Sequence, residues 1–181
     1  MLAKIISMKF KNIKAIIFLS AVLAIFSCKK DSSGSNPDYY VKFKMNGNLV
    51  TWKTVAGELG PDLGDPSKTD FGVTANDDAQ KNVLDISVQV DGSNFNTGSY
   101  DSDNGNYWVV ISFLKDANTG TMKYYDIEDA VSGPPSKYTV NVTSITSTEL
   151  RGTFSGNYLF NHDDQESMTI TDGEFVVKRI R

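Results

Sequence analysis

The stretch Leu84-Asp85-Ile86-Ser87-Val88-Gln89-Val90 decides the fold class. Apolar and polar residues alternate at every position, the period of a strand with one face on a core and the other toward water. The same period recurs on both sides of it. Val41, Phe43 and Met45 alternate with Lys42 and Lys44, and Tyr138, Val140 and Val142 alternate with Thr139, Asn141 and Thr143. Leu150, Phe154, Tyr158 and Phe160 share one face, opposite Arg151, Thr153 and Ser155. In the last segment Phe175 and Val177 stand opposite Glu174, Val176 and Lys178. No stretch beyond Pro37 carries a convincing helical stripe, and at most a short turn falls near residues 127–130.

Turn residues punctuate these runs. Asn46-Gly47, Asp91-Gly92, Asn118-Thr119-Gly120 and Asp172-Gly173 supply the positive φ that tight turns and bulges require. Asn46-Gly47 predicts a hairpin joining residues 39–45 to residues 48–55. The apolar pattern changes phase between Met168/Ile170 and Phe175, so Asp172-Gly173 marks a bulge or a second hairpin. Residues 57–68, with Gly, Pro and Asp, read as a longer loop, and Gly133-Pro134-Pro135 breaks the chain before the final strands. The pattern predicts an all-β domain, an antiparallel β-sandwich or flattened β-barrel of about eight to ten strands. Gly152 and Gly156 fall on the inward face beside Leu150 and Phe154, which suits a tight barrel interior or a strand bend.

The N-terminus has a different character. Lys4, Lys9, Lys11 and Lys14 precede an apolar run from Ala15 to Phe26, too short for a membrane span and right for a secretion signal. Met8 offers a second start, since Met8-Lys9-Phe10-Lys11 already forms a basic opening. The run ends in Ile25-Phe26-Ser27-Cys28, which resembles a lipobox. A small residue before the cysteine admits a signal peptidase, and the Cys28 thiol accepts a diacylglycerol. A further chain on the new amino group makes the anchor stable. An uncleaved N-terminal membrane helix is the plainer alternative. Cys28 is the single cysteine, so a disulfide within the chain is excluded.

Three segments follow: residues 1–27 as signal peptide, 28–37 as lipidated flexible tether, and 38–181 as one domain. The net charge is −4, and removing residues 1–27, with four lysines and no acid, takes it to −8. A body this acidic repels phosphate backbones, so no nucleic acid is expected as partner.

Three groups of residues carry a family resemblance: Phe43 to Trp52 (FKMNGNLVTW), Leu150 to Gly156 (LRGTFSG) and Met168 to Val177 (MTITDGEFVV). Together they resemble a family of small uncharacterised Bacteroidetes-type lipoproteins, with an N-G-x-x-W-like opening, a G-T-F strand and a terminal I-T-D-G-x-F strand. Val50 holds the usual tryptophan position of that opening, and Trp52 comes two residues later. The Cys-Lys-Lys-Asp start of the tether is similar to theirs. The resemblance implies attachment to the outer membrane, with cell-surface display in some members; here a single acid follows the lysines. It brings no activity and no functional residues.

The residues themselves hold little catalytic chemistry. His162 is the one histidine and sits in Asn161-His162-Asp163-Asp164-Gln165-Glu166, read as a solvated hairpin tip. No nucleophile elbow, phosphate loop or dinucleotide glycine pattern occurs. No catalytic residue and no cofactor is therefore assigned, and a zinc site is disfavoured. Asp101 and Asp103 lie at alternate positions of Asp101-Ser102-Asp103-Asn104-Gly105-Asn106, like the start of a calcium loop, but the glycine is early and no glutamate closes it. Asp62, Asp65 and Asp70 form a second acidic loop and Asp163, Asp164 and Glu166 a third.

Aromatics are the remaining signal, because Tyr and Trp join an apolar face to a polar tip. Trp52 and Tyr40 in the first hairpin, and Tyr124 and Tyr125, one of which must point outward, are the candidate ligand-binding residues. Trp108 lies in a strand apolar on both faces (Tyr107 to Leu114) and reads as core. The expectation is a membrane-anchored, non-catalytic binding or interaction module of the cell envelope, attached through acylated Cys28, with a glycan or protein partner. Alternatives are a glycan-binding surface lipoprotein and a lipocalin-like carrier of a small apolar ligand. An exposed aromatic platform would favour the first, and a packed interior would exclude the second.

Overall fold

A computed structural model describes residues 38–118, 121–126, 137–161 and 163–181. All of them fall in one compact unit, Pro37–Arg181. Among the described residues there are eleven strands: β1 (Tyr40–Met45), β2 (Asn48–Trp52), β3 (Thr54–Pro61), β4 (Lys68–Asn76), β5 (Val83–Asp91), β6 (Gly98–Asp101), β7 (Tyr107–Lys115), β8 (Lys123–Tyr125), β9 (Tyr138–Ile145), β10 (Glu149–Asn161) and β11 (Glu166–Lys178). They form a six-stranded sheet A, ordered β2-β1-β11-β10-β9-β6, and a five-stranded sheet B, ordered β3-β4-β5-β7-β8. Every pairing between these strands is antiparallel. The fold is a sandwich rather than a closed barrel.

The first hairpin forms where Asn46-Gly47 places it. Asn46 (φ 50°) and Gly47 (φ 79°) make a two-residue turn that sets Met45 against Asn48. The partner strand is shorter than the sequence predicts. It ends at Trp52, and after Lys53 the chain starts β3 in the other sheet. Residues 57–61, expected in a loop, belong to β3, whose inward Val55 and Leu59 are buried. The loop shrinks to the turn between Pro61 and Lys68.

Asp172-Gly173 makes a bulge, not a hairpin. Asp172 (φ 51°) sits where the β1–β11 register steps from Lys42↔Glu174 to Lys44↔Thr171. The extra residue moves Ile170 and Phe175 onto the same face, and both are fully buried. A second irregularity lies in β10 between Gly156 and Leu159. It corrects the reading of Tyr158 as inward: Leu159 takes the core position and Tyr158 is 40% exposed.

The interior is filled. Phe43, Phe71, Phe113, Tyr138, Phe175, Leu150 and Leu159 are among the fully buried side chains of one continuous core between the sheets. Inward glycines make room for the rings. Gly152 lies opposite Phe175, Gly173 opposite Phe154 and Gly156 opposite Tyr138. In each pair a Cβ on the glycine would collide with the facing ring. Gly152 and Gly156 thus serve ring packing across the sheet, an arrangement that supports strand glycines with a neighbouring aromatic.

Two corners are stitched. At one, the tail after β11 runs beside β3: Leu59 N–H donates to Arg181 O at 3.0 Å and Ile180 N–H to Gly57 O at 2.9 Å. At the other, Asp126 and Phe160 exchange backbone bonds of 3.1 and 2.9 Å, tying the end of β8 to the far half of β10. Sheet B is buried on both faces toward this second corner, where Asn76, Val83, Ser112 and Leu114 are buried although they face away from the core.

Candidate functional site

Most of the residues singled out from sequence are engaged in holding the fold. Trp52 is 6% exposed and packs edge-on against Phe43, with ring centres 5.1 Å apart. This corrects its reading as a surface aromatic: the alternation of β2 turns it to the core with Val41 and Phe43. Tyr125 is likewise core, facing Phe113. Its hydroxyl donates to Glu166 Oε2 at 2.8 Å, and burial together with that bond pushes the phenol up to about 12. Lys123 completes the cluster, 3.1 Å from both Asp164 and Glu166. The Tyr125 and Lys123 bonds hold the Glu166 carboxyl below its usual range. Tyr124 is the outward member of the pair, 39% exposed at the end of sheet B. Tyr40 is half-buried, and its hydroxyl donates to Glu174 Oε1 at 2.5 Å.

The acidic loops are structural as well. Asp101 accepts the Thr139 hydroxyl at 2.5 Å, while Asp103 pairs with Lys137 at 3.2 Å. The two calcium candidates thus serve separate partners across the β6–β9 edge. Among the described residues no group of three or more His, Cys, Asp or Glu is placed to hold a metal. Cys28 and His162 lie outside the described residues.

Trp108 is the residue that departs most from expectation. It is not core; it is 55% exposed. β8 pairs only with Phe113–Lys115, so at Trp108 the strand has β5 alone as its neighbour, and while Ser112 and Leu114 on the same face are buried, Trp108 is not. The register places Gly60, Asp70, Gln89 and Trp108 in one row across the outer face of sheet B. Gln89 Nε2 donates to Asp62 Oδ2 and to Asp70 Oδ1, both at 2.8 Å, and Gln89 Oε1 accepts from Lys68 Nζ at 3.2 Å. Burial and the neighbouring Asp62 raise the Asp70 carboxyl. Asp62 also caps the β3–β4 turn, accepting from the backbone N–H groups of Gly64 and Asp65. An exposed indole therefore stands beside an amide and two carboxylates whose orientations are fixed.

Around the edge of the same end lies an open groove of about 510 Å³. Asn94, Asn96, Thr97, Asn106 and Tyr107 contribute to its lining. Its wall is rigid: Phe95 stacks between Phe71 (5.1 Å) and Tyr100 (4.7 Å), and Tyr107 meets Tyr100 edge-on at 5.0 Å. The Tyr100 hydroxyl closes the loop by donating to Asn96 O at 2.6 Å. Tyr107 and Trp108, being consecutive in β7, point to opposite faces, so the groove and the indole are adjacent but face different ways.

Sequence reasoning passed over Trp108 because a strand apolar on both faces reads as covered on both. The available signal was its neighbour: Asp85, Ser87 and Gln89 alternate outward on β5, and a residue paired with Gln89 shares that polar face. The class of protein defined by these features is an antiparallel β-sandwich with an aromatic and amide surface at the loop-bearing end of one sheet. No family model matches the chain, and neither does any curated protein or solved structure.

Proposed function

We propose that this chain is an exported, membrane-anchored binding module of the cell envelope, held by acylated Cys28, and that its ligand is a glycan docked on Trp108. The observation that carries the reading is the exposed indole beside the fixed Gln89 amide and the Asp62 and Asp70 carboxylates. A sugar ring presents a face of C–H bonds that stacks on an indole, while its hydroxyls need directed donors and acceptors around the rim. Asp70 and Asp62 accept from hydroxyls. The non-catalytic part of the reading rests on the scarcity of histidine and cysteine in the sequence. The carrier alternative needs a hollow closed sheet, and ring side chains fill the space between these two sheets.

Tryptophan emission tests the ligand directly. The chain has two tryptophans, one buried and one exposed. A bound glycan will shift the emission of Trp108 and protect it from iodide quenching, leaving Trp52 unchanged. It will also raise the melting temperature, as any ligand selective for the native state must. Both effects will vanish in Trp108→Ala. A panel of host and bacterial glycans that alters neither signal, or a response that survives the substitution, defeats the proposal. Anchoring is tested separately: labelled palmitate should enter the protein in cells and be lost in Cys28→Ser.

A further inference from the structure

The sequence contains the same tripeptide twice, Asn46-Gly47-Asn48 and Asn104-Gly105-Asn106. Asparagine before glycine is the pair at which a chain can attack its own side chain, because glycine has no Cβ to block the approach of its backbone nitrogen. In that step the glycine N, its proton lost to solvent, bonds to the asparagine Cγ, and Nδ2 leaves as ammonia. Water then opens the resulting succinimide at either carbonyl, giving aspartate or isoaspartate. Asn46, Gly47, Asn104 and Gly105 are all exposed, so exposure does not separate the two sites. Their hydrogen bonds do.

Asn46 is tied across the sheet. Its Oδ1 accepts from Thr169 N–H at 2.9 Å and its N–H donates to Thr169 O at 3.0 Å, so the side chain lies toward β11 and away from Gly47 N. Asn46 and Gly47, at φ 50° and 79°, close the hairpin that pairs Met45 with Asn48. Bringing Cγ to Gly47 N means breaking these bonds and opening the turn. Asn104 is bonded the other way. Its Oδ1 accepts from Asn106 N–H at 3.2 Å, two residues on. That bond folds the side chain over the intervening peptide and leaves Cγ beside Gly105 N. It also draws electron density from Cγ and steadies the oxyanion that attack creates. Gly105 is not at a positive φ, and nothing lies within 4 Å of a Cβ built on it, so the turn has room to complete the ring.

We propose that Asn104 is a self-modification site, converted through a succinimide with Gly105 to isoaspartate and aspartate in the folded protein, while the fold protects Asn46. The new carboxylate joins Asp101 and Asp103 in the turn between β6 and β7. The isoaspartyl form also lengthens the backbone by a methylene inside a turn held by Asn104 N–H to Asp101 O and Tyr107 N–H to Asn104 O, both at 3.1 Å. That turn leads directly into Tyr107 and Trp108, so the change falls at the end of the sandwich that carries the exposed indole. The proposal is independent of the glycan reading.

Ageing the purified full chain at mildly alkaline pH, natively and in guanidinium chloride, tests it. Peptide mapping by mass spectrometry follows the replacement of NH2 by OH at each asparagine, and chromatography separates the aspartate and isoaspartate products. In the native protein Asn104 is expected to convert about tenfold faster than Asn46, a barrier difference of about 1.4 kcal/mol. In guanidinium chloride the two rates should come together, because the tripeptides are identical. Gly105→Ala should slow conversion at Asn104 severalfold without moving the melting temperature, since a Cβ hinders ring closure and meets nothing in the fold. Equal native rates, a faster Asn46, a difference that persists in the denaturant or unchanged conversion in Gly105→Ala would each overturn the proposal. So would a product containing aspartate alone, the mark of direct hydrolysis by water.

Discussion

Phe154 on β10 lies directly opposite Gly173 on β11, and its ring occupies the space that a side chain at 173 would need. A Cβ there would stand 2.5 Å from three ring atoms. Gly173 is not at a positive φ, so contact, not backbone strain, makes glycine necessary. Gly173→Ala should therefore destabilise the fold by about 1–3 kcal/mol, the usual cost of overpacking a tight core. Gly105, with nothing within 4 Å of a built Cβ, is the control, and its alanine variant should stay within about 0.5 kcal/mol of wild type. Urea unfolding midpoints decide it. Equal midpoints for the two variants would show that the ring moves aside without cost.

The same pair shows what could be read in advance. Alternation in β5, β9 and β11 placed the core residues, because one-sided burial writes a period of two into the sequence. Asn46-Gly47 placed the first turn, because few residues accept its backbone geometry. Tyr158 was misplaced because the irregularity between Gly156 and Leu159 reverses the phase of β10, and Gly156, read as one of two inward glycines, does not mark which residue shifts. The crossover at Lys53 was missed because Thr54 and Val55 continue the β-branched run. Trp108 was misread because its exposure, unlike the burial of Ser112 and Leu114 on the same face, is set by tertiary surroundings and not by the pattern of the strand. The candidate site was legible only in its ingredients: the acids near residue 62, the outward Gln89 and a tryptophan, which a register of four strands brings into one row.

The Tyr125–Glu166 bond ties the short edge strand β8 to the β10–β11 hairpin, and Lys123 reinforces it. Tyr125→Phe keeps the ring in the core and removes only the hydroxyl. The loss should be about 0.5–1.5 kcal/mol, the net worth of one hydrogen bond. Amide exchange should quicken in β8, while β4 and β5 keep their protection. Uniform loss of protection across both sheets would instead mean that this corner unfolds only with the whole domain.

The C-terminal residues cover the β3 edge. Ending the chain at Lys178 removes the two backbone bonds to Gly57 and Leu59, and also the Arg179 Nη2 bond to Leu59 O at 3.0 Å. It exposes most of an eight-residue strand with buried apolar neighbours, a ready template for pairing with other chains. The shortened protein should melt lower and aggregate on heating, where the full chain refolds. Light scattering during a thermal scan makes the comparison. A truncated chain that melts reversibly at the original temperature would show that the tail covers nothing that needs cover.

Asp85 supplies a pH dependence of defined sign. It lies on the outer face of sheet B in a row with Thr74 and Ser112, which are 5% and 6% exposed. The Thr74 hydroxyl donates to Asp85 Oδ1 at 2.7 Å. Burial still dominates and pushes the carboxyl up to about 6 from an ordinary 3.8, with Glu58 adding in the same direction. Between those values the folded state holds a proton that the unfolded state releases, so stability contributed by this group falls as pH rises through that window. Above pH 6 the ionised carboxylate costs about 3 kcal/mol at most. Asp85→Asn keeps an acceptor for Thr74 and removes the charge. Relative to wild type it should gain stability at pH 7.5 and lose that advantage at pH 4. The carboxylates of Asp65 and Glu166, held below their usual range, act in the opposite sense at lower pH and cancel in the comparison of the two proteins. Urea unfolding of both at the two pH values is the measurement, and a variant that is no more stable than wild type at pH 7.5 would show that the Asp85 carboxylate is solvated.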